Sequence, residues 1–210
     1  MVELRVGMRT VDLPFMVRIP NVTETMFSEM VDEDTKAELL DGVMIVPSPA
    51  SPQHNRGAGF LRSLMQTYAE ELGVGEVFGP DDLIHLATCR RFAPDVFYLP
   101  IHLVPSPLPE EEFEETPELV VEVLSPSNRD YDLSDKRSAY RQAGIREIWF
   151  IDQANEEVII DRRRGRRYTT TVASEGKIAS AALKGFWVRA EWLWAEQPPR
   201  LMRCLREIMG

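Results

Sequence analysis

The pattern of apolar and polar positions changes period several times along the chain, and each change delimits an element. A short helix is predicted over 24–31, with Thr23 as its N-cap and Met26, Phe27 and Met30 as its apolar stripe. Residues 38–46 read as a β-hairpin, because Asp41-Gly42 supplies the positive backbone φ that a tight two-residue turn demands. After Pro47, Pro49 and Pro52, the spacing of Phe60, Leu61, Leu64 and Tyr68 predicts a long helix from Pro52 to Leu72, ended by Gly73 and Gly75. Strands follow near 76–78, 83–87 and 93–98, and the proline- and glutamate-rich segment 100–117 reads as a surface loop. Residues 119–124 form a continuous β-branched and apolar run broken only by Glu122, the pattern of a strand buried on both faces. Asp132 or Ser134 is placed to cap a helix that stops at Gly144. A hairpin then joins 148–151 to 158–160 through 153–156.

This order predicts an α/β fold with a central mixed β-sheet flanked by helices, an N-terminal arm and additional β-hairpins. The strand at 119, the following helix and the strand at 148 have the size of one right-handed parallel crossover. The expected division is an arm over 1–22, one domain over 23–195 and a C-terminal extension over 196–210.

Composition narrows the class without naming the chemistry. With 210 residues, 44% hydrophobic and 28% charged, the chain is long enough for one sizeable core and has the balance of a soluble globular protein. No uncharged apolar stretch approaches the roughly 20 residues of a membrane helix, and charges interrupt the N-terminal apolar residues, so a cytoplasmic protein with no membrane partner is expected. Two cysteines, Cys89 and Cys204, give neither a disulfide framework nor a structural zinc motif. The net charge of -10 opposes a broad electrostatic grip on nucleic acid. Its exceptions are local: five arginines bracket Gly165, and an acidic run spans 110–115. Both runs read most simply as solvated loops.

The informative residues are charged ones in apolar places. Glu122 interrupts a buried strand, and Asp95 follows Pro94 just before the apolar run 96–99. Lys136 shares a helix face with Leu133, Tyr140 and Ala143, so it points inward. Burying such groups singly costs several kcal/mol, and a charged inward lysine calls for a nearby acid. In the competing reading, Lys136 reaches solvent and Glu122 pairs with an arginine. Two carboxylates, with Glu38 as a third, make an oxygen-rich set suited to Mg²⁺ or Mn²⁺, and Lys136 beside them suits phosphodiester hydrolysis. His54, at the start of the long helix, is a candidate phosphate contact, although capping or packing is the simpler role. Arg162 and Arg163 are further candidate substrate contacts. No Ser-His-acid arrangement or glycine-rich phosphate loop is present in the sequence.

At these positions the chain resembles a bacterial family of putative restriction endonucleases in the PD-(D/E)xK nuclease superfamily. The residues that carry the resemblance are Glu38-Leu39-Leu40-Asp41-Gly42, Pro49-x-x-x-x-His54, Pro94-Asp95 and Leu119-Val120-Val121-Glu122-Val123-Leu124-Ser125-Pro126-Ser127. Asp132-x-x-x-Lys136-x-x-x-Tyr140-x-x-x-Gly144 and Glu147-x-Trp149-x-x-Asp152 complete it. The resemblance implies a restriction-endonuclease-like fold and a Mg²⁺-dependent (or Mn²⁺-dependent) endodeoxyribonuclease acting on DNA. It further implies Asp95, Glu122 and Glu38 as metal ligands and Lys136 as the catalytic lysine. Leu124 stands where the wider superfamily has its lysine, and the helix lysine is implied to replace it. Ala37 stands where the family often has an aromatic. A homodimer is expected, because two cuts on a duplex suit a two-fold enzyme. The alternative is a catalytically idle nuclease-fold protein serving as a binding, regulatory or assembly subunit.

Overall fold

The computed structural model describes residues 4–6, 9–11, 15–31 and 36–210. Parts of the expected arm, at 1–3, 7–8 and 12–14, lie outside these described residues. The elements begin with strands β1 (Leu4–Val6), β2 (Arg9–Val11) and β3 (Met16–Pro20), then helix α1 (Glu24–Met30) and strands β4 (Glu38–Leu40) and β5 (Val43–Pro47). Helix α2 (Pro52–Leu72) leads to β6 (Gly75–Phe78), β7 (Leu83–Ala87), β8 (Arg90–Phe92), β9 (Val96–Pro100), β10 (Glu112–Phe113) and β11 (Leu119–Val123). Next come α3 (Arg129–Tyr131), a π-helical turn over Asp132–Lys136 and α4 (Arg137–Ala143), which run on from one another. Strands β12 (Glu147–Asp152), β13 (Glu157–Arg164), β14 (Arg167–Ala173), β15 (Lys177–Ala179) and β16 (Trp187–Arg189) follow, then helix α5 (Leu201–Met209).

Two six-stranded sheets organise these elements. One has the order β14-β13-β12-β11-β9-β6, the other β10-β7-β8-β4-β5-β3. In the first, β11 pairs parallel with β12 and antiparallel with β9, so the crossover expected between the strands at 119 and 148 is present. Every residue of β9, β11 and β12 is buried, which explains their nearly unbroken apolar sequences. Side chains alternate across the sheet. Val121, Val123, Trp149 and Ile151 pack with Leu61, Leu64, Met65 and Tyr68 of α2 on one face. Val120, Ile148 and Phe150 face the other way, toward Tyr140 of α4 and Ile84 and Phe92 of the second sheet. Glu122 has the same parity as Val120, so strand geometry sends its carboxylate into the space between the two sheets.

Local signals placed several boundaries well. Thr23 accepts a hydrogen bond from the Met26 amide at the start of α1, and Ser51 accepts one from the His54 amide at the start of α2. Gly73 and Gly144 adopt left-handed conformations at the ends of α2 and α4. Elsewhere tertiary packing overrode the pattern. Of the expected α1 stripe only Phe27 is buried; Met26 and Met30 are exposed. The segment read as a surface loop contains β10, whose Phe113 packs against Phe78 and Phe97 with ring centroids 4.6 and 5.4 Å away. Strand β3, within the expected arm, forms an edge of the second sheet against β5. In the expected C-terminal extension, α5 buries Cys204 and Leu205 in the cluster that contains α2. Neither Asp132 nor Ser134 caps the helix: it starts earlier, at Arg129, and Asp132 is buried inside the π-helical turn. Among the described residues, no helix is long and apolar enough to cross a membrane.

Candidate active site

The acids and the lysine expected to converge do so, at the seam between the two sheets. Glu38 comes from β4 of one sheet and Glu122 from β11 of the other; Asp95 immediately precedes β9, and the π-helical turn supplies Lys136. All four are at least nine-tenths buried, yet they line a cavity of about 690 Å³ together with His54 and Asp132.

Lys136 is the hub. Its Nζ lies 2.7 Å from Glu38 Oε1 and 2.9 Å from Glu122 Oε1, with Asp132 Oδ1 at 3.9 Å. Tyrosine hydroxyls complete the frame, Tyr131 donating to Glu38 Oε2 at 2.9 Å and Tyr140 to Glu122 Oε1 at 2.6 Å. Glu38 Oε1 also accepts from the Ala93 amide at 3.1 Å, which ties the hairpin acid to the segment leading to Asp95. Asp95 Oδ2 accepts from the Val123 amide at 2.8 Å and lies 3.1 Å from His54 Nε2, while Lys36 Nζ stands 3.9 Å from Oδ1. Among the described residues, Asp95 Oδ1 and Glu122 Oε2 make no hydrogen bond.

The electrostatics follow from this crowding. Burial pushes the Glu122 carboxyl up to about 7; Lys136 works against that shift, and Asp95 and Glu38 reinforce it. Asp132 is likewise raised by burial, against the pull of Lys136 and with the repulsion of Glu122 and Glu38. Burial opposes the charge on Lys136, but Glu122 and Glu38 outweigh it and hold the ammonium well above the usual lysine range. Asp95 is lowered: burial opposes ionisation, and His54, Lys36 and the Val123 amide overcome it. His54 is raised in turn, because Asp95 outweighs the burial that disfavours its charged form. Four acids thus crowd a low-dielectric space around one buried lysine, so that a further positive ion would favour the charged forms of Glu122 and Asp132 that burial now opposes.

The remaining candidates divide. His54 sits at the cavity through its contact with Asp95, and its Nδ1 is buried without a hydrogen-bond partner. Arg162 and Arg163 do not line the cavity. Arg162 Nε donates to buried Glu147 at 2.8 Å, and Arg163 Nη1 donates to the Gly144 carbonyl at 2.8 Å, so both act as internal ties of the β12–β13 and α4 ends. Sequence reading missed Asp132 as a site acid and left Tyr140 as a core aromatic. The signal was present in their spacing: each is four residues from Lys136, hence on its helix face.

A second acidic cluster lies on the other sheet. Among the described residues, His85, Glu112 and Glu114 form the one trio of metal-capable side chains whose ligand atoms all lie within 4.8 Å of one another. Arg91 already serves it, with Nε 2.7 Å from Glu112 and Nη1 2.8 Å from Glu24.

A mixed sheet with an acid on its central strand, a second acid at the mouth of the neighbouring strand and an inward lysine on the crossover helix is the arrangement of a restriction-endonuclease-like fold. The family model described as "Putative restriction endonuclease" (Uma2) matches residues 25–191, and the chain belongs to that family. Among solved structures, the chain is similar to one from Anabaena variabilis described as a putative nuclease belonging to DUF820. The TM-score is 0.73 at 14% identity, over 83% of this chain and 98% of that one. No curated protein sequence matches the chain.

Proposed function

We propose that this chain is a metal-dependent endonuclease that hydrolyses phosphodiester bonds in DNA, with Asp95 and Glu122 as the principal ligands of Mg²⁺ or Mn²⁺ and Glu38 completing the acidic set. The observation that carries this reading is that Asp95 and Glu122 line one cavity, each with one oxygen held by hydrogen bonds while the other, Asp95 Oδ1 and Glu122 Oε2, accepts none among the described residues. Hard oxygen donors of this kind suit a hard divalent ion. Such an ion supplies Lewis acidity toward a phosphoryl oxygen and a more acidic bound water.

The protein's own residues would do the rest. The Val123 amide and His54 hold Asp95 in one orientation, and Tyr140 and Lys136 hold Glu122 by one oxygen and leave the other turned to the cavity. Lys136, charged and fixed between two acids, is positioned to orient a water or to offset the charge that develops on phosphorus-bound oxygens. The apolar part of the cavity wall, including Val123, Leu124 and Pro126, limits competing water. Family membership adds support for nuclease chemistry and for DNA as substrate. A cytoplasmic homodimer fits this reading, since a two-fold assembly brings two such sites to one duplex.

A second reading is favoured by the saturation of Lys136: flanked at 2.7 and 2.9 Å by carboxylates, it also suits a structural network in an idle binding or assembly subunit. Calorimetric titration with Mn²⁺ separates the two. A nuclease site binds the ion, and Asp95→Ala or Glu122→Ala abolishes the heat. A structural network gives no heat in the wild type and only loses stability in the variants.

A further inference from the structure

This acidic chain gathers unpaired positive charge on the solvent side of the helix that carries Lys136. Arg137 donates through Nε and Nη2 to the two carboxylate oxygens of Asp161, both at 2.7 Å, and Arg141 donates through Nε to Asp161 Oδ2 at 2.7 Å. The Nη2 groups of both arginines also donate to Thr170 Oγ1 at 3.0 Å. Asp161 is fully buried, and one carboxylate offsets only one of the two guanidinium charges. Like charges one helical turn apart repel, so this pair is an arrangement the fold has to hold in place. Among the described residues, the Nη1 groups of Arg137 and Arg141 make no hydrogen bond, and Arg164, Arg166 and Arg167 pair with no carboxylate.

The two helix arginines and Arg166 line a cleft of about 530 Å³ together with Ser134, Ser138 and Gln142. Its lining contains guanidinium, hydroxyl and amide donors and no carboxylate. Guanidinium forks fixed from behind by Asp161 lose little further freedom on meeting a tetrahedral anion, which is the arrangement that favours phosphate. The cleft adjoins the active cavity through the helix itself. Asp132 and Lys136 look into the cavity, while Ser134 and Arg137 of the same stretch look into the cleft.

We propose that the cleft is a phosphate-binding subsite that holds the backbone of a nucleic-acid strand away from the reacting phosphate. It rests on the nuclease reading for the identity of the strand. It also supplies what the net charge of -10 withholds, a local positive track beside the site.

The test uses the full chain and fluorescein-labelled single-stranded and duplex oligonucleotides in EDTA, followed by anisotropy at several salt concentrations. Arg166→Glu removes a cleft cation and leaves the Asp161 cluster intact. It is expected to weaken binding roughly tenfold and to flatten the logarithmic salt dependence by about one unit for the phosphate no longer neutralised. Unchanged affinity and slope in Arg166→Glu overturn the proposal. So does inorganic phosphate that displaces the oligonucleotide at an equal concentration of phosphate groups, because the cleft is then a free-anion site. Lys136→Met separates this result from the chemistry. Oligonucleotide binding lost in Arg166→Glu but kept in Lys136→Met, with a wild-type chain that cleaves no DNA in Mg²⁺ or Mn²⁺, sinks the nuclease reading and leaves the subsite standing.

Discussion

At the scale of single residues, the fold tolerates Glu122 because each of its neighbours has a defined task. Tyr140 donates to it at 2.6 Å, and Tyr140→Phe removes that donor from a buried carboxylate while keeping the ring that packs edge-on against Phe92. The expected loss is about 2 kcal/mol of stability in urea unfolding, with the denaturant slope unchanged. An unaltered midpoint would mean that Lys136 alone satisfies Glu122. Asp161 gives a pH test. Burial opposes its ionisation, but Arg137, Arg141 and Thr170 hold its pKa at about 2, below the ordinary 3.8. Because the folded value is depressed, this stabilisation is fully present above pH of about 4 and is lost as pH falls through about 2. Asp161→Asn is therefore expected to cost roughly 3 kcal/mol at neutral pH. The gap from wild type should close toward pH of about 2 in thermal melts; a gap that does not depend on pH contradicts the ion-pair assignment. Glu122, Asp95 and Lys136 were legible in the sequence because a charge inside an apolar run, or on an apolar helix face, is costly unless it has partners. The identities of those partners were not legible, since they depend on contacts such as Lys136 to Glu38, which are 98 positions apart in a 210-residue chain.

At the scale of elements, the site depends on how closely backbones approach. Gly79 has φ of +102°, and a Cβ there would sit 2.7 Å from the Asp95 carbonyl oxygen and 2.8 Å from that of Pro94. Gly79→Ala combines an unfavourable backbone region with a clash against the segment that aims Asp95. It should destabilise by roughly 2 kcal/mol and weaken Mn²⁺ binding as well. Normal metal binding in that variant would show that Asp95 is aimed by His54 and the Val123 amide alone. Elements with local rules were readable: the Asp41-Gly42 turn, the Thr23 cap of α1 and the Gly144 stop of α4. The second sheet was not. Its β10 has two residues and pairs in parallel with β7, a pairing that carries no local period, and β3 is joined to β5 across a helix and another strand. The π-helical turn was also hidden, although it is what carries both Asp132 and Lys136 toward the cavity.

At the scale of the whole molecule, the two sheets share one hydrophobic cluster with α4, and an acid from each is neutralised in part by Lys136. The family and the fold agree with a nuclease. The chain's charge of -10 then demands that nucleic acid be met by a confined basic surface and not by the molecule at large. Glu38, Asp95, Glu122 and Lys136 are proposed to form a working hydrolytic site. Its most direct test is the nicking of supercoiled plasmid by the purified full chain in Mg²⁺ or Mn²⁺, compared with EDTA and with Asp95→Ala, Glu122→Ala and Lys136→Met. The account predicts metal-dependent conversion to nicked or linear DNA, reduced in each variant by roughly a hundredfold or more, the order expected when one charge-stabilising group is removed. Cleavage that persists in EDTA, or in folded Asp95→Ala and Glu122→Ala proteins, would contradict it, as would a folded wild-type chain that leaves plasmid intact in both metals.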